Sequence, residues 1–277
     1  MRFVVDASEK KEPLGDLYGI FFEDLNHAAD GGLYAELIQN RAFEFDPVDN
    51  PAYTHLTGWE VLGAEEEMKA TVLAGDSVSS KNPHYLALDV RMEGRGAGIR
   101  NRGYHDGIVF EAGNSYRFSC WAKREQDREA PLSVSLQDEN GKVLDKKEIT
   151  LSKDWKKYEA VFTPKNGTKA GSLTLIPEGR GRVYLDFVSL FPVDTYRNRS
   201  NGMRRRLAEL LEVMHPKFMR FPGGCLVHDG ALDPDARDAQ YRWKNTVGPI
   251  EERPARRSNW GYHQTLGLGF YEYFQLC

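Results

Sequence analysis

FMRFPGGC, Phe218 to Cys225, holds a strand, its stop and a permissive loop in eight residues. Phe218, Met219 and Phe221 are the apolar residues of a short buried strand, with the charged Arg220 among them. Pro222 ends it, because proline has no N–H to give a neighbouring strand. Gly223 and Gly224 then let the backbone take positive φ, or let another group approach closely. A buried strand leaving through Arg-Phe-Pro-Gly-Gly suits the rim of a parallel barrel, and it equally suits an ordinary strand-to-loop exit. The flanking sequence decides between them.

Upstream, Met203, Leu207, Leu210, Leu211 and Met214 fall on one face of a helix that His215-Pro216 closes. Near the start of the chain, Leu17 to Phe22 is an unbroken apolar run, the pattern of a strand buried on both faces. A short strand at Arg2 to Asp6 and a polar connector precede it, and Glu23, Asp24, Leu25, Asn26 and His27 follow it. Gly31-Gly32 then lead into a helix with Leu33, Tyr34, Leu37 and Ile38 on one stripe, so one βα unit closes by about Arg41.

Between Phe43 and Val193 the period changes to two. Leu86, Leu88, Val90 and Met92 alternate with polar or small neighbours, as do Tyr116, Phe118, Cys120 and Ala122. Leu132, Val134 and Leu136 repeat the pattern, then Tyr158, Ala160 and Phe162, and Asn140-Gly141 marks a tight hairpin. Many short strands without a helix predict an antiparallel β-sandwich. The predicted fold class is therefore α/β plus all-β. An incomplete (β/α)8 TIM barrel, with its first βα unit at 1–45 and its continuation at 193–277, is interrupted by a β-sandwich at 46–192. The barrel parts amount to roughly 130 residues, against about 250 for a closed barrel.

The 277 residues are 40% hydrophobic and 28% charged, with a formal charge of −4 and a pI near 6.0. That is a globular composition with no basic face for a nucleic-acid partner. Cys120, Cys225 and Cys277 offer neither a CxxC pair nor a disulfide framework. MRFVVDASEKKEP holds no apolar run long enough for a signal peptide or a membrane span. With Met1 as the start, the expectation is a cytoplasmic protein without a membrane partner.

In a barrel, binding and catalytic groups sit at the C-terminal ends of the strands. Two such ends are visible, Glu23 to His27 and Arg220 to Cys225. Glu23, Asn26 and Arg220 can each hydrogen-bond a hydroxyl, which suits a hydroxyl-rich ligand. Glu23 and Asp24 also suit a helix N-terminus or a surface loop. Arg220, set among apolar residues, needs an anionic partner if buried, structural or catalytic. YRWKNTVGPIEERP, Tyr241 to Pro254, adds Trp243, Asn245 and the pair Glu251-Glu252. Adjacent carboxylates usually mark a solvated turn. They make a poor hydrolytic pair, whose members face one substrate about 5–5.5 Å apart for retention or 6.5–9.5 Å for inversion. The seven histidines show no metal-ligand spacing, and no serine-hydrolase elbow, phosphate loop or dinucleotide fingerprint is present.

Three stretches, in order, resemble the α-L-arabinofuranosidases of glycoside hydrolase family 51. They are LYGIFFEDLNHAADGGLYAELIQNRAFEF (17–45), KFMRFPGGC (217–225) and YRWKNTVGPIEERP (241–254). The sandwich resembles the carbohydrate-binding-module-like jelly roll that many members carry, with VYLDFVSLFPVDT (183–195) as its end. The resemblance implies a retaining (β/α)8 hydrolase that releases terminal α-L-arabinofuranosyl groups from arabinan, arabinoxylan or their oligosaccharides. It implies no cofactor in catalysis, and a homo-oligomer when complete. By position it implies that Glu23 hydrogen-bonds the arabinose hydroxyls and that Arg220 keeps the neighbouring nucleophile ionised. Cys225 stands where other members place a sugar-binding Asn, and Trp243 walls the sugar.

The family's acid/base and nucleophile glutamates belong to segments absent from these 277 residues, so the chain itself is expected to be inactive. Leu266, within TLGLG, stands where related sequences usually have Asp, and Ala255 to Trp260 departs from their Gly-His stretch. Modules of this kind often hold a structural calcium, for which Glu44 and Asp186 are the candidates. The sandwich has two readings. It shapes the rim of the site, or it is the working part of a non-catalytic carbohydrate-binding protein, with Trp59, Tyr104, Trp121 and Trp155 available as a platform. Missing barrel strands leave open sheet edges, which invite association.

Overall fold

The computed structural model describes residues 2–4, 6, 8–10, 12–13, 15–125 and 130–277. Most of it is the sandwich. One sheet has the order β10 (Lys156–Phe162), β7 (Tyr116–Arg124), β12 (Gly181–Pro192), β4 (Asn82–Val90) and β3 (Met68–Ser79). The other runs β2 (Trp59–Leu62), β5 (Gly98–Asn101), β11 (Thr168–Pro177), β8 (Leu132–Gln137) and β9 (Val143–Ile149), with β6 (Ile108–Phe110) also on β11. Every pairing within these sheets is antiparallel. The period-two pattern explains why they stack. In β7 the residues Tyr116, Phe118, Cys120 and Ala122 turn inward while their neighbours turn out. They meet Leu86, Leu88, Ile99, Val134, Leu175 and Leu185 in one core.

The remainder is a small α/β assembly. β1 (Gly19–Phe21) pairs in parallel with β13 (Phe218–Arg220), Ile20 opposite Met219. α1 (Arg205–Val213) precedes β13, and α2 (Cys225–His228) follows it. The short β14 (Arg256–Arg257) and β15 (His263–Gln264) pair antiparallel before α3 (Phe270–Leu276). Among the described residues no helix is long and apolar enough to cross a membrane.

Four expectations change here. Of the strand expected at Arg2 to Asp6, the described residues 2–4 and 6 take no regular structure, and Val5 lies outside the described residues. β1 is not buried on both faces: it has one strand neighbour, and Leu17 and Phe21 are exposed. The helix expected after Gly31-Gly32 does not form. Ala29–Leu33 makes one wide turn, broken by non-helical backbone at Asp30, Gly31 and Gly32. The chain beyond it gives its backbone groups to other segments: Tyr34 bridges Met203, Ala35 donates to the Gly202 carbonyl, and Leu37 donates to that of Leu190. Leu33, Tyr34 and Ile38 are buried all the same, so apolar spacing reported burial and not helix. Finally, α1 buries Ala208, while Leu207, Leu210 and Met214 of the expected inner stripe are exposed.

A buried polar chain joins the two assemblies. In β12, the Ser189 hydroxyl and the Leu190 N–H donate to Glu36 at 2.5 and 2.9 Å. Glu36 lies 3.5 Å from the Arg41 guanidinium, which donates to the Tyr34 hydroxyl at 2.9 Å. Tyr34 donates to Asn201, whose amide donates to Glu272 at 2.8 Å. Glu272 also accepts the Gly269 N–H at the start of α3 and a two-pronged bond from Arg253, at 2.9 and 3.0 Å. A second tie is Asn82 at the β3–β4 turn. Its amide donates to the carbonyls of Glu251 and Arg253, both at 2.9 Å, and accepts the Ala255 N–H at 3.0 Å.

Removing one partner of a buried pair strands the other charge without water. Glu272→Ala is therefore expected to cost the chain about 3–5 kcal/mol, read as a lowered Tm in thermal unfolding. An unchanged Tm would show that the pair carries no stability.

Candidate functional site at the ends of the parallel strands

The two strand ends meet through a carboxylate. Glu23 Oε1 accepts the N–H groups of Gly224 and Leu226 at 3.2 and 3.0 Å. It thus fastens the first turn of α2 to the exit of β1. Gly223, at φ +154, lies so close that a Cβ there would come within 2.5 Å of Glu23 Cγ. Only glycine fits. Cys225 opens α2 and is exposed. Arg220 is exposed as well, and its guanidinium sits 4.5 Å from the ring centre of Phe21, its partner across the strand pair. Exposure removes the need for an anionic partner that a buried arginine would have. Trp243, in the 3-10 turn Trp243–Thr246, is half exposed. Its ring lies 6.2 Å from Phe270, which lies 5.1 Å from Phe221 just beyond β13. Glu23, Arg220 and Cys225 thus share one rim, and an aromatic ladder links Trp243 to it. Asn26 is exposed at φ +52, and its side chain makes no hydrogen bond among the described residues.

Beneath the rim lies a group that the sequence order hides. Asp24 is buried and accepts the Ala29 N–H, the Tyr262 hydroxyl and the Gln264 amide. Asp30, also buried, accepts the N–H and the hydroxyl of Thr265. Burial, with the Asp30 carboxylate second, pushes Asp24 up to about 6. Tyr262, Gln264 and Thr265 stand more than 230 positions from the acids they serve, and no local pattern announces them.

The other candidates sit elsewhere. Glu44 is buried in the seam between sandwich and α/β assembly. It accepts the His84 N–H at 2.8 Å and the ring Nδ1 contact at 2.7 Å, and Arg237 lies 3.6 Å away. Asp186 is fully buried on β12. One of its oxygens accepts the Phe187 N–H, the other has no hydrogen-bond partner, and burial raises it well above the usual carboxylate range. One unpartnered oxygen does not suit calcium, which takes six to eight. Glu44 is already committed beside a cation, and the described residues hold no group of three or more metal-binding side chains. The pair does not fit the ion. Glu251 and Glu252 form no hydrolytic pair either. Glu251 accepts from Trp121 and Lys157, and Glu252 from Ser79, which fixes their turn to the sandwich. Of the four aromatic candidates, Trp59 is core, Tyr104 packs on Gly31, and Trp121 is spent on Glu251.

Asp24 supplies a pH test. A carboxyl raised in the fold stabilises most below its ordinary value of 3.8, and that contribution is lost as pH rises through about 6. The Tm of the native chain relative to Asp24→Asn is expected to fall between about pH 4 and pH 7. Parallel Tm curves for the two would overturn the assignment.

Comparison with known proteins follows this division. The carbohydrate binding domain matches residues 35–178, and the α-L-arabinofuranosidase 1 domain matches 210–277. An extracellular exo-α-L-arabinofuranosidase of Streptomyces chartreusis is 43% identical over 98% of this chain, which spans 32% of that relative. α-L-Arabinofuranosidase 1 of Arabidopsis thaliana is 35% identical over 94% of the chain and 38% of its own length. The solved structure of an arabinose-bound family 51 α-L-arabinofuranosidase superposes with a TM-score of 0.81 at 31% identity, covering 94% of this chain and 42% of that one. The chain thus spans about a third to two fifths of the length of these relatives. The expectation of a cytoplasmic protein is overturned by the Streptomyces relative, which is named as extracellular. Cellular address is read separately from the fold, so the first residues were a poor guide to it. Over nearly its whole length the chain is similar to part of the family 51 α-L-arabinofuranosidases, and through residues 35–178 it belongs to the carbohydrate binding domain family.

Proposed function

We propose that this chain is the sugar-binding part of a retaining α-L-arabinofuranosidase. The whole enzyme releases terminal α-L-arabinofuranosyl groups from arabinan, arabinoxylan or derived oligosaccharides, and works as a homo-oligomer. The observation that carries this reading is the junction at Glu23, where one carboxylate oxygen holds Gly224 and Leu226 and so gathers Arg220 and Cys225 onto the same rim. The other oxygen of Glu23 makes no hydrogen bond among the described residues and is the acceptor for arabinose hydroxyls. Asn26 and Cys225 contribute further contacts, and Trp243 forms a wall against the apolar face of the ring. Arg220 stands ready to hold a nucleophilic carboxylate in its ionised form.

In this reading β1 and β13 are the first two strands of a (β/α)8 barrel, with the jelly-roll module inserted between them. The divisions fall at 1–45, 46–192 and 193–277. The parallel pair led by α1 supports it, as does the placing of Glu23, Asn26 and Cys225 beyond the ends of β1 and β13, with Arg220 the last residue of β13.

A second reading, a carbohydrate-binding protein that works through the sandwich, draws on one surface feature. Lys123 Nζ lies 4.8 Å from the ring centre of Trp155 and 5.2 Å from that of Tyr184, on the outer side of the five-stranded sheet.

The chain alone is expected to show no turnover of an aryl α-L-arabinofuranoside, since retention needs both catalytic carboxyls. Fused to the C-terminal remainder of the Streptomyces relative, it is expected to gain turnover. In that fusion Glu23→Gln is expected to lower kcat/KM by about 10–100-fold, the worth of hydrogen bonds to a charged group. Turnover by the repurified chain alone would sink the proposal. For the second reading, retardation on arabinan or xylan gels that disappears in Trp155→Ala would favour the binder.

A further inference from the structure

We propose that a cleft at the seam binds the main chain from which the furanosyl group branches, an uncharged pentose oligosaccharide. This rests on the arabinofuranosidase reading and adds a second subsite to it. The cleft lies between residues 80–84 of the sandwich, the β3–β4 turn and the start of β4, and the 234–245 loop of the α/β assembly, and encloses about 590 Å³. That falls within the ~300–1,000 Å³ of small-molecule sites. It adjoins the proposed furanose wall. Asn245, on its lining, belongs to the same turn as Trp243, and Leu266 is shared with the small cavity that Asp24, Pro222 and Leu226 line.

The lining selects the ligand. Pro83, Pro234 and Pro254 present C–H surface to the apolar faces of sugar rings. The side chains of Lys81, Gln240 and Asn245 make no hydrogen bond among the described residues, so they are ready to meet hydroxyls. Its larger charges are committed inside the protein. Arg237 is bonded to Asp49 and paired with Glu44, and Arg256 donates to Gln264 and to the Ala239 carbonyl. Lys81 and Arg242 also line the cleft, but so do the carboxylates of Glu44, Asp46 and Asp235, so a uronate would meet acids as well as bases, whereas a neutral chain meets no repulsion. The sandwich wall is held in place before binding, by Asn82 on residues 251–255 and by Glu44 on His84. Such preorganisation reduces the ordering cost of association.

The test uses the chain itself, titrated calorimetrically with xylotetraose, which reports a xylan main chain, and with arabinotetraose, which reports an arabinan one. At least one is expected to bind, and Gln240→Ala/Asn245→Ala is expected to weaken it about tenfold without lowering the Tm. Lys81→Ala, at the lip of the cleft, is expected to weaken the same ligand. Binding of neither tetrasaccharide would overturn the proposal. So would affinity kept by these variants and lost in Trp155→Ala, which would move the ligand to the outer sheet. Free L-arabinose, with Glu23→Gln as its control, reports the furanose wall separately. Tetrasaccharide binding at the cleft without arabinose binding would refute the wall and leave the cleft standing.

Discussion

The pairing of Arg253 with Glu272 organises the α/β assembly. Two bonds between planar groups, both nearly free of solvent, fix α3 against the loop that ends at Arg253. The carbonyls of Gly248, Leu266 and Gly267 take the remaining guanidinium hydrogens. Such a pair stabilises only if its desolvation is repaid by further hydrogen bonds, and here it is. Glu272 caps α3 and receives Asn201, which leads through Tyr34, Arg41 and Glu36 to β12 of the sandwich. Phe191 of β12 enters the apolar cluster of the α/β assembly and meets the Tyr34 ring edge-on at 5.4 Å, so this polar chain and an apolar contact beside it join the two assemblies.

The rim inherits its geometry from that frame. Phe221 stacks on Tyr273 of α3 with ring centres 4.6 Å apart, and Phe270 stands between it and Trp243. The helix that Glu272 caps therefore supports both the exit of β13 and the tryptophan wall. Glu23 has a double task. It accepts main-chain N–H groups, and in the proposed site it also faces the sugar.

The sandwich was legible from sequence because its period of two records which side of each strand is dry. Asn140-Gly141 gave its hairpin directly, with Gly141 at φ +80. The segment 33–41 was not, since Leu33, Tyr34 and Ile38 have helical spacing, but the chain after the wide turn is not helical and Ala35 and Leu37 give their N–H groups to the distant carbonyls of Gly202 and Leu190. α1 was found, but its apolar stripe was assigned an inner side that the described residues do not cover. At the candidate site, Glu23, Arg220, Cys225 and Trp243 stand out in the sequence because each lies beside a strand end or in a motif. Asp24, Asp30 and the partners that serve them from 262–265 were not, because pairings across the whole chain leave no local mark. Glu44 and Asp186 have the right chemistry for calcium, and their neighbours spend one and isolate the other.

Asn82 has a consequence for engineering. Its amide completes three bonds to a backbone stretch that is remote in sequence, so the sandwich is not a cassette that can be lifted out at its two chain crossings. A graft from another member of the family would need to bring its own version of residues 251–255, or leave a turn with nothing to close on. Evolutionary exchange of the module faces the same condition, and inheritance as a matched set is the simplest way to meet it.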